Sequence, residues 1–282
     1  MHVILCSGGA FKGAVQLATL RKLLASGTPD VIEGTSIGAT NGVMAATGKM
    51  DVCESIWREL DDPHPLDGIK GILQATPFGH SGFWNLTPMA KQLEDYDIDT
   101  DELLCRFGCG IWLPENDEHI LPTWTKAGPD GHSIPLHDGV LASAAIAGLF
   151  AAQPICWRGK WSLAADGGHE HVLPPPPSNV KAGDTIDAIC CHPIEPGVLT
   201  RASKTVDGRV ERLIAAADKG MHAPLRGDVA TLQALSRLGI KVRIYAPRRD
   251  PGGMLDASKE TIAYRLDDLG VEMAQKPVWE LT

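Results

Sequence analysis

Apolar residues fall along this chain in short blocks whose period changes at glycines. His2-Val3-Ile4-Leu5-Cys6 is a continuous apolar run of strand length, and Ser7-Gly8-Gly9-Ala10-Phe11-Lys12-Gly13 follows it at once. From Ala14 to Leu24 the period becomes helical, with Val15, Ala18 and the Leu20, Leu23 and Leu24 set at helical spacing and Gly27 as the stop. Val31 to Gly34 reads as a second strand. Strand, glycine loop, helix and strand make a βαβ unit, whose crossover implies parallel strands covered by helices. Gly38 to Thr47 predicts a helix of small residues that packs close to a sheet, and Met50 to Leu60 predicts another, with Val52, Ile56 and Trp57 on one face.

Between Asp61 and Thr87 the periodicity gives way to Pro, Gly, His and scattered aromatics. A loop this long inside a compact domain is either mobile or functional; Phe78, Phe83 and Trp84 either line a substrate entrance or, the commoner use, pin the loop to the core. Thr87-Pro88 is a good start for a helix running to Tyr96. Cys109 to Leu113 and His119 to Thr125 read as strands across the turn Pro114-Glu115-Asn116-Asp117, and Val140 to Phe150 as an apolar, Ala-rich helix. Ile155 to Trp157 and Trp161 to Ala165 form a strand pair around Arg158-Gly159-Lys160, ending in Asp166-Gly167-Gly168.

Pro174 to Pro177 is a stiff stretch that cannot join a central sheet, yet Ile186 to Cys191 and Lys241 to Tyr245 are buried strands beyond it. Glu211 to Ala217 and Asp228 to Leu238 read as helical, and Met254 to Met273 contains a last helix. The pattern therefore predicts an α/β fold, three-layer α/β/α with a mostly parallel central sheet. Residues 1–282 are expected to form a single domain, with the prolines as a surface crossing.

Composition narrows the picture. A chain of 282 residues, 44% hydrophobic, can bury a substantial core. A net charge of -9 and a pI near 5.5 lack the basic face that phosphate neutralisation needs, so no nucleic-acid partner is expected; simple electrostatic adsorption to anionic lipid is disfavoured too. No run reaches the ~18 apolar residues of a membrane span, and the N-terminus enters a strand without the order of a secretory signal. The expectation is a soluble, cytoplasmic protein. Seven cysteines, with Cys190 and Cys191 adjacent, suit reduced buried thiols. Cys105 and Cys109 lack a second ligand pair at structural-zinc spacing, so no metal is expected.

Three stretches carry chemistry. Gly34-Thr35-Ser36-Ile37-Gly38 lies between a predicted strand and a predicted helix, the context of a nucleophile elbow: glycines two residues before and after the serine admit a turn too tight for a Cβ, and the hydroxyl is pushed out at a helix N-terminus. The Gly8 to Gly13 loop admits two functional readings. Gly8, Ala10 and Gly13 fit a dinucleotide fingerprint, with Asp30 or Glu33 as the ribose contact; alternatively, the backbone amides of Gly8, Gly9 and Ala10 converge as an oxyanion hole. In a βαβ unit the loop and Ser36 emerge at one sheet edge, which favours the second. Asp166-Gly167-Gly168 closes a predicted strand, where a carboxylate can act at that same edge; taken alone it is an ordinary turn signal.

Together these stretches resemble one family, the patatin-like phospholipases. Leu5 to Ala14 is similar to their Gly-Gly-Gly-x-Arg-Gly loop, Gly34 to Gly38 to their Gly-x-Ser-x-Gly, and Asp166-Gly167-Gly168 to their Asp-Gly-Gly/Ala. Ala142 to Phe150 is similar to their Ala-Ser-x-Ala-x-Pro-x-x-Phe segment, and the resemblance covers Met1 to about Leu173. Ala10 and Lys12 stand where the family has a glycine and its usual arginine, and Ala147 where a proline is common. His169 to Pro174 replaces an Asn-x-Pro-like piece.

The resemblance implies a patatin-like fold and a lipid acyl hydrolase of phospholipase A or lysophospholipase type. Its catalytic dyad would be Ser36 and Asp166, and it would need no cofactor. Lys12 and Gly13 would support the loop or, through Lys12, meet an anionic head group. The substrate would be a phospholipid or another acyl ester, with transient contact at a membrane surface. Two alternatives stand beside this reading. One is a Ser-His-Asp esterase with His169, His171 or His192 as base; the other is a non-catalytic or nucleotide-binding protein using the Gly8 to Gly13 loop.

Overall fold

In the computed structural model, which describes residues 1–60, 86–147, 150–194 and 218–281, the first apolar run is strand β1 (His2–Cys6). A 3-10 turn, Ala10–Val15, leads into α1 (Gln16–Ala25), and the chain returns as β2 (Val31–Thr35), parallel to β1 with Cys6 opposite Gly34. Helices α2 (Ile37–Ala46), α3 (Met50–Glu59) and α4 (Thr87–Asp95) precede β3 (Arg106–Leu113), β4 (Glu118–Ile120), β5 (Thr123–Thr125) and β6 (Gly128–Pro129). After α5 (Leu136–Ser143) come β7 (Gln153–Trp157) and β8 (Lys160–Asp166), joined across Arg158 and Gly159 with φ of 49° and 77°, the double left-handed turn that a two-residue hairpin favours. Then follow β9 (Thr185–Ile189), α6 (His222–Ser236), β10 (Lys241–Tyr245), α7 (Lys259–Ala263), a π turn (Tyr264–Leu269), α8 (Gly270–Gln275) and β11 (Trp279–Leu281).

The main sheet runs β11-β10-β9-β1-β2-β3-β5-β6, and β10, β9, β1, β2 and β3 are parallel. Period-two alternation sends Val3 and Leu5 into one core with Leu225, Val229 and Leu232 of α6. Ile4 and Cys6 enter another with Leu17 and Leu20 of α1 and Val43 of α2. Helices therefore cover both faces of a mostly parallel sheet, as the pattern predicts. Each of the seven cysteines is a free thiol. Among the described residues no helix is long and apolar enough to cross a membrane.

Several boundaries differ from expectation, each for a local reason. The predicted strand His119 to Thr125 breaks at Leu121-Pro122: β4 pairs with Ile111 to Leu113, β5 pairs with Phe107 and Gly108, and the Pro122 carbonyl accepts from Cys109 N. The helix expected over Val140 to Phe150 is α5, which starts at Leu136 and stops at Ser143, because the Ala145 carbonyl is taken by Asp166 N. The first turn expected of the Ala14 to Leu24 helix belongs to the 3-10 segment instead. The helix expected over Asp228 to Leu238 is α6, which begins earlier, at His222, and takes in Pro224 and Gly227, since Pro is tolerated in a first turn and Leu225 is buried against the sheet. Phe78, Phe83, Trp84, Gly148, Leu149 and the predicted helix Glu211 to Ala217 lie outside the described residues.

Candidate active site

Because β1 and β2 are adjacent and parallel, the turns that follow Cys6 and Thr35 leave the sheet at one edge. A Cβ on Gly8 would lie 3.2 Å from Ser36 Cβ, so the glycine loop rests directly against the serine. Ser36 takes φ 57° and ψ -127°, a conformation that costs a non-glycine residue about 1–3 kcal/mol and is tolerated where neighbours over-determine it. Those neighbours are backbone. A Cβ on Gly34 would strike the Gly38 carbonyl, and one on Gly38 would lie 2.6 Å from Ser7 O.

Asp166 reaches the same edge through β3, which is longer than its partner. Thr35, the last residue of β2, faces Gly110; the next residue of β3, Ile111, faces Asp166 on antiparallel β8. The register thus delivers the end of β8 beside the end of β2. Gly167 permits this approach, since a Cβ there would lie 2.6 Å from Gly110 O, and Gly168 N donates to Asp166 Oδ1 at 2.7 Å. Burial raises the Asp166 carboxyl to about 6, against the opposing pull of hydrogen bonds from the Ser36 side chain and the Gly168 amide. A carboxylate of that basicity ionises near neutral pH and can take a proton from an adjacent hydroxyl.

Ser143 was not singled out by the sequence reasoning, although it lies inside the Ala142 to Phe150 segment. Its hydroxyl accepts from Ser36 N at 2.9 Å and donates to Gly110 O at 2.7 Å, locking the elbow to β3. A serine in an otherwise alanine-rich buried stretch was the available signal.

In the glycine loop, Gly8 N is donated to Val172 O at 2.8 Å, so this amide is engaged. Among the described residues Gly9 N and Ala10 N donate no backbone hydrogen bond. Ala10 has φ 48°, the left-handed region that explains why a glycine suits this position. Gly9 packs on Cys191, whose Cβ would be 2.5 Å from an added Cβ. Gly13 lies against Ile37 and Asn41, and its carbonyl accepts from Asn41 Nδ2 at 3.0 Å.

Lys12 is fully buried, and its ammonium donates to both oxygens of Asp218 at 2.7 and 2.9 Å. It therefore braces the loop from behind. Burial lowers the lysine against the raising influence of Asp218. Removing one member of a buried pair strands the other, so Lys12→Ala is expected to cost about 2 kcal/mol, discounted because Asp218 touches solvent. Urea unfolding would show this as a lower midpoint at unchanged slope. Arg265, also fully buried, is turned toward the loop by the π turn and donates to Phe11 O, Gly253 O, Asp256 O and Pro251 O.

The three histidines of the triad alternative have other partners. His169 stacks on Trp112 with ring centroids 4.2 Å apart, His171 Nδ1 lies 2.8 Å from Asp228 Oδ1, and His192 Nε2 lies 3.0 Å from Asp218 Oδ1. His192, Asp218 and His222 bring ligand-type atoms within 4.8 Å of one another, a donor set suited to a metal, but Lys12 already occupies both Asp218 oxygens. The acids required by the dinucleotide reading are misplaced. Asp30 precedes β2 at the opposite end of the sheet, accepting from His2 N at 2.6 Å, and Glu33 is buried in mid-strand, where desolvation raises its carboxyl to about 8.

A family model described as patatin-like phospholipase matches residues 4–176. No curated protein matches the chain in sequence. Among solved structures, the chain is similar to VipD from Legionella pneumophila at 13% identity and a TM-score of 0.44. That match covers 97% of this chain and 66% of VipD, so the chain spans just under two thirds of the other protein's length.

Proposed function

Since the chain belongs to the patatin-like phospholipase family, whose model covers more than half of its length, we propose that it is a serine lipid acyl hydrolase of the phospholipase A or lysophospholipase type. The observation that carries this reading is the register that sets a buried carboxylate of raised pKa, Asp166, beside the strained hydroxyl-bearing elbow at Ser36. Ser36 Oγ attacks the carbonyl carbon of an acyl ester while its proton passes to Asp166. The amides of Gly9 and Ala10 receive the oxyanion, each donor contributing about 3 kcal/mol to the transition state. The leaving alcohol takes the proton from Asp166 as the acyl-serine forms. Water then gives its proton to Asp166 and attacks the acyl carbon, releasing a fatty acid and restoring Ser36.

In this reading Gly8, Gly34, Gly38, Gly167 and Gly168 clear space for the backbone, while Lys12 and Gly13 hold the loop. Residues 1–282 act as one hydrolase domain, consistent with β9 and β10, beyond the matched segment, extending the same sheet, β9 paired with β1 and β10 with β9. The substrate is a phospholipid or other acyl ester met at a lipid surface. The test is covalent labelling by a fluorophosphonate. Wild type is expected to label, Ser36→Ala to lose all labelling, and His169→Ala and His171→Ala to retain it. Unlabelled wild type overturns the hydrolase; loss at one histidine replaces the dyad with a triad.

A further inference from the structure

We propose that Trp112 and His119, a cross-strand pair on the β3–β4 hairpin, clasp the segment His169 to Leu173 and through it position both halves of the site, the Asp166 carboxylate and the oxyanion loop. The proposal rests on the dyad reading and adds positioning residues to it. Asp166 leads into a 3-10 turn, Gly167–His169, and the amides of Glu170 and His171 both donate to Gly167 O, at 3.1 and 3.0 Å, so His171 is tied to the turn. One residue on, the Val172 carbonyl accepts the Gly8 amide at 2.8 Å. A single short strap therefore connects the base to the loop that carries Gly9 N and Ala10 N.

The register of β4 on β3 sets Trp112 opposite His119, and residues so paired share one face of the sheet. Both rings reach the strap. Trp112 stacks on His169 with ring centroids 4.2 Å apart, and His119 meets His171 edge-on with centroids 5.0 Å apart. His119 Nε2 is also 2.9 Å from the point where a Cβ on Gly167 would lie, so this ring stands directly behind the turn. Beyond His171 the strap has its own anchors. Asp228 of α6 accepts from Leu173 N at 3.0 Å and lies 2.8 Å from His171 Nδ1, while Val172 and Leu173 pack in the core with Val3 and Leu5. His169 and Glu170, between buried Asp166 and buried Val172, are exposed. The rings therefore act on the part of the strap that the core does not hold.

The contribution of the clasp is shape. Burial, reinforced by His171, lowers His119 to about 4, so at neutral pH it is an uncharged ring. The segment His169 to Pro174 stands where the family resemblance places an Asn-x-Pro-like piece, and ring contacts hold it in this chain. Moving a reacting group by about 1 Å can cost about a hundredfold in rate. Loss of one ring from the exposed part of the strap, with Asp228 and the core still holding its far end, is expected to cost about tenfold.

The experiment measures kcat and KM for p-nitrophenyl butanoate, together with hydrogen exchange at single amides by NMR. It uses wild type, Trp112→Ala, His169→Ala, the double alanine variant, Trp112→Phe and His169→Phe. Either alanine is expected to lower kcat about tenfold at unchanged KM and to slow fluorophosphonate labelling without preventing it. Either is also expected to speed exchange at Gly8 and Gly168, whose bonds to Val172 O and Asp166 Oδ1 depend on the strap, while exchange at Val242 in β10 stays at the wild-type rate. The double variant loses no more than either single one, because the same stack is broken in all three, and each phenylalanine restores the wild-type values. Unchanged kcat in both alanine variants of an active protein, or additive losses in the double, overturns the clasp and leaves the hydrolase standing. A loss in His169→Ala that phenylalanine does not restore makes the imidazole a base and overturns both clasp and dyad. Faster exchange at Gly8 and Gly168 in the alanine variants of a protein that hydrolyses no ester supports the clasp and overturns the hydrolase; unchanged exchange overturns the clasp whatever the activity.

Discussion

Asp166→Asn is expected to lower kcat/KM for ester hydrolysis at least about a thousandfold, the scale of a lost general base, and at the same time to stabilise the folded chain. Both effects have one cause. The carboxyl of Asp166 is held up from an ordinary 3.8 to about 6 by burial, so the folded state prefers it protonated while the unfolded state ionises it sooner. The neutral form's contribution to stability is thus fully present below about pH 4 and is lost as pH rises through about 6, a cost of about 3 kcal/mol at neutral pH.

Asparagine keeps an oxygen for the Gly168 amide and carries no charge. It should recover about 1–2 kcal/mol of that cost at pH 8, less than the whole because an amide is also buried at some expense. Thermal unfolding of both proteins at pH 8 and pH 4 measures this: a higher Tm for the variant at pH 8 and near equality at pH 4. A variant less stable at pH 8 would show that Asp166 is comfortable as a buried anion and would remove the basis for its basicity. The same titration predicts that wild-type kcat/KM rises through about pH 6 and levels above it.

Gly38→Ala is the second large effect, and it acts on the fold before the chemistry. Its methyl would lie 2.6 Å from both Cys6 C and Ser7 O, backbone atoms at the end of the central strand. No side chain can swing away to relieve such a contact. The helix must back off β1 or the elbow must open, and a loss of at least about 3 kcal/mol is expected, at the severe end of overpacking. Gly227→Ala is the matched control. Gly227 lies in α6, nothing stands within 4 Å of an added Cβ, and alanine there should stabilise by about 1 kcal/mol. Chemical unfolding of the two variants should therefore move the midpoint in opposite directions. A Gly38→Ala protein of wild-type stability would mean that the elbow is looser than its backbone contacts imply.

Much of the architecture was legible because it is written in short range. A continuous apolar run marked β1, and short β-prone segments bounded by turn residues marked β2, β9 and β10. Glycines at 34 and 38 marked the elbow because only a residue without a Cβ fits there. What escaped was set by contacts between distant segments. The strand expected over His119 to Thr125 is two strands because β3 outruns β2 and takes different partners along its length. The helix expected to reach Phe150 stops at Ser143 because the Ala145 carbonyl serves Asp166. Neither event has a local signature. Nor does any local signature place Asp218, 206 residues away, against the Lys12 ammonium.

By itself, then, the sequence determined that this chain forms a βαβ unit with a glycine loop and a serine elbow at one sheet edge, since backbone sterics and side-chain period act over a few residues. Only the tertiary structure decided what surrounds Ser36. Asp166 arrives by the register of β8 on the overhanging end of β3, Ser143 bridges the elbow to that strand, and Asp218 anchors the loop from below. Those placements depend on how far one strand outruns its neighbour and on which segment packs behind it, quantities that belong to the whole sheet and to no single stretch of the chain.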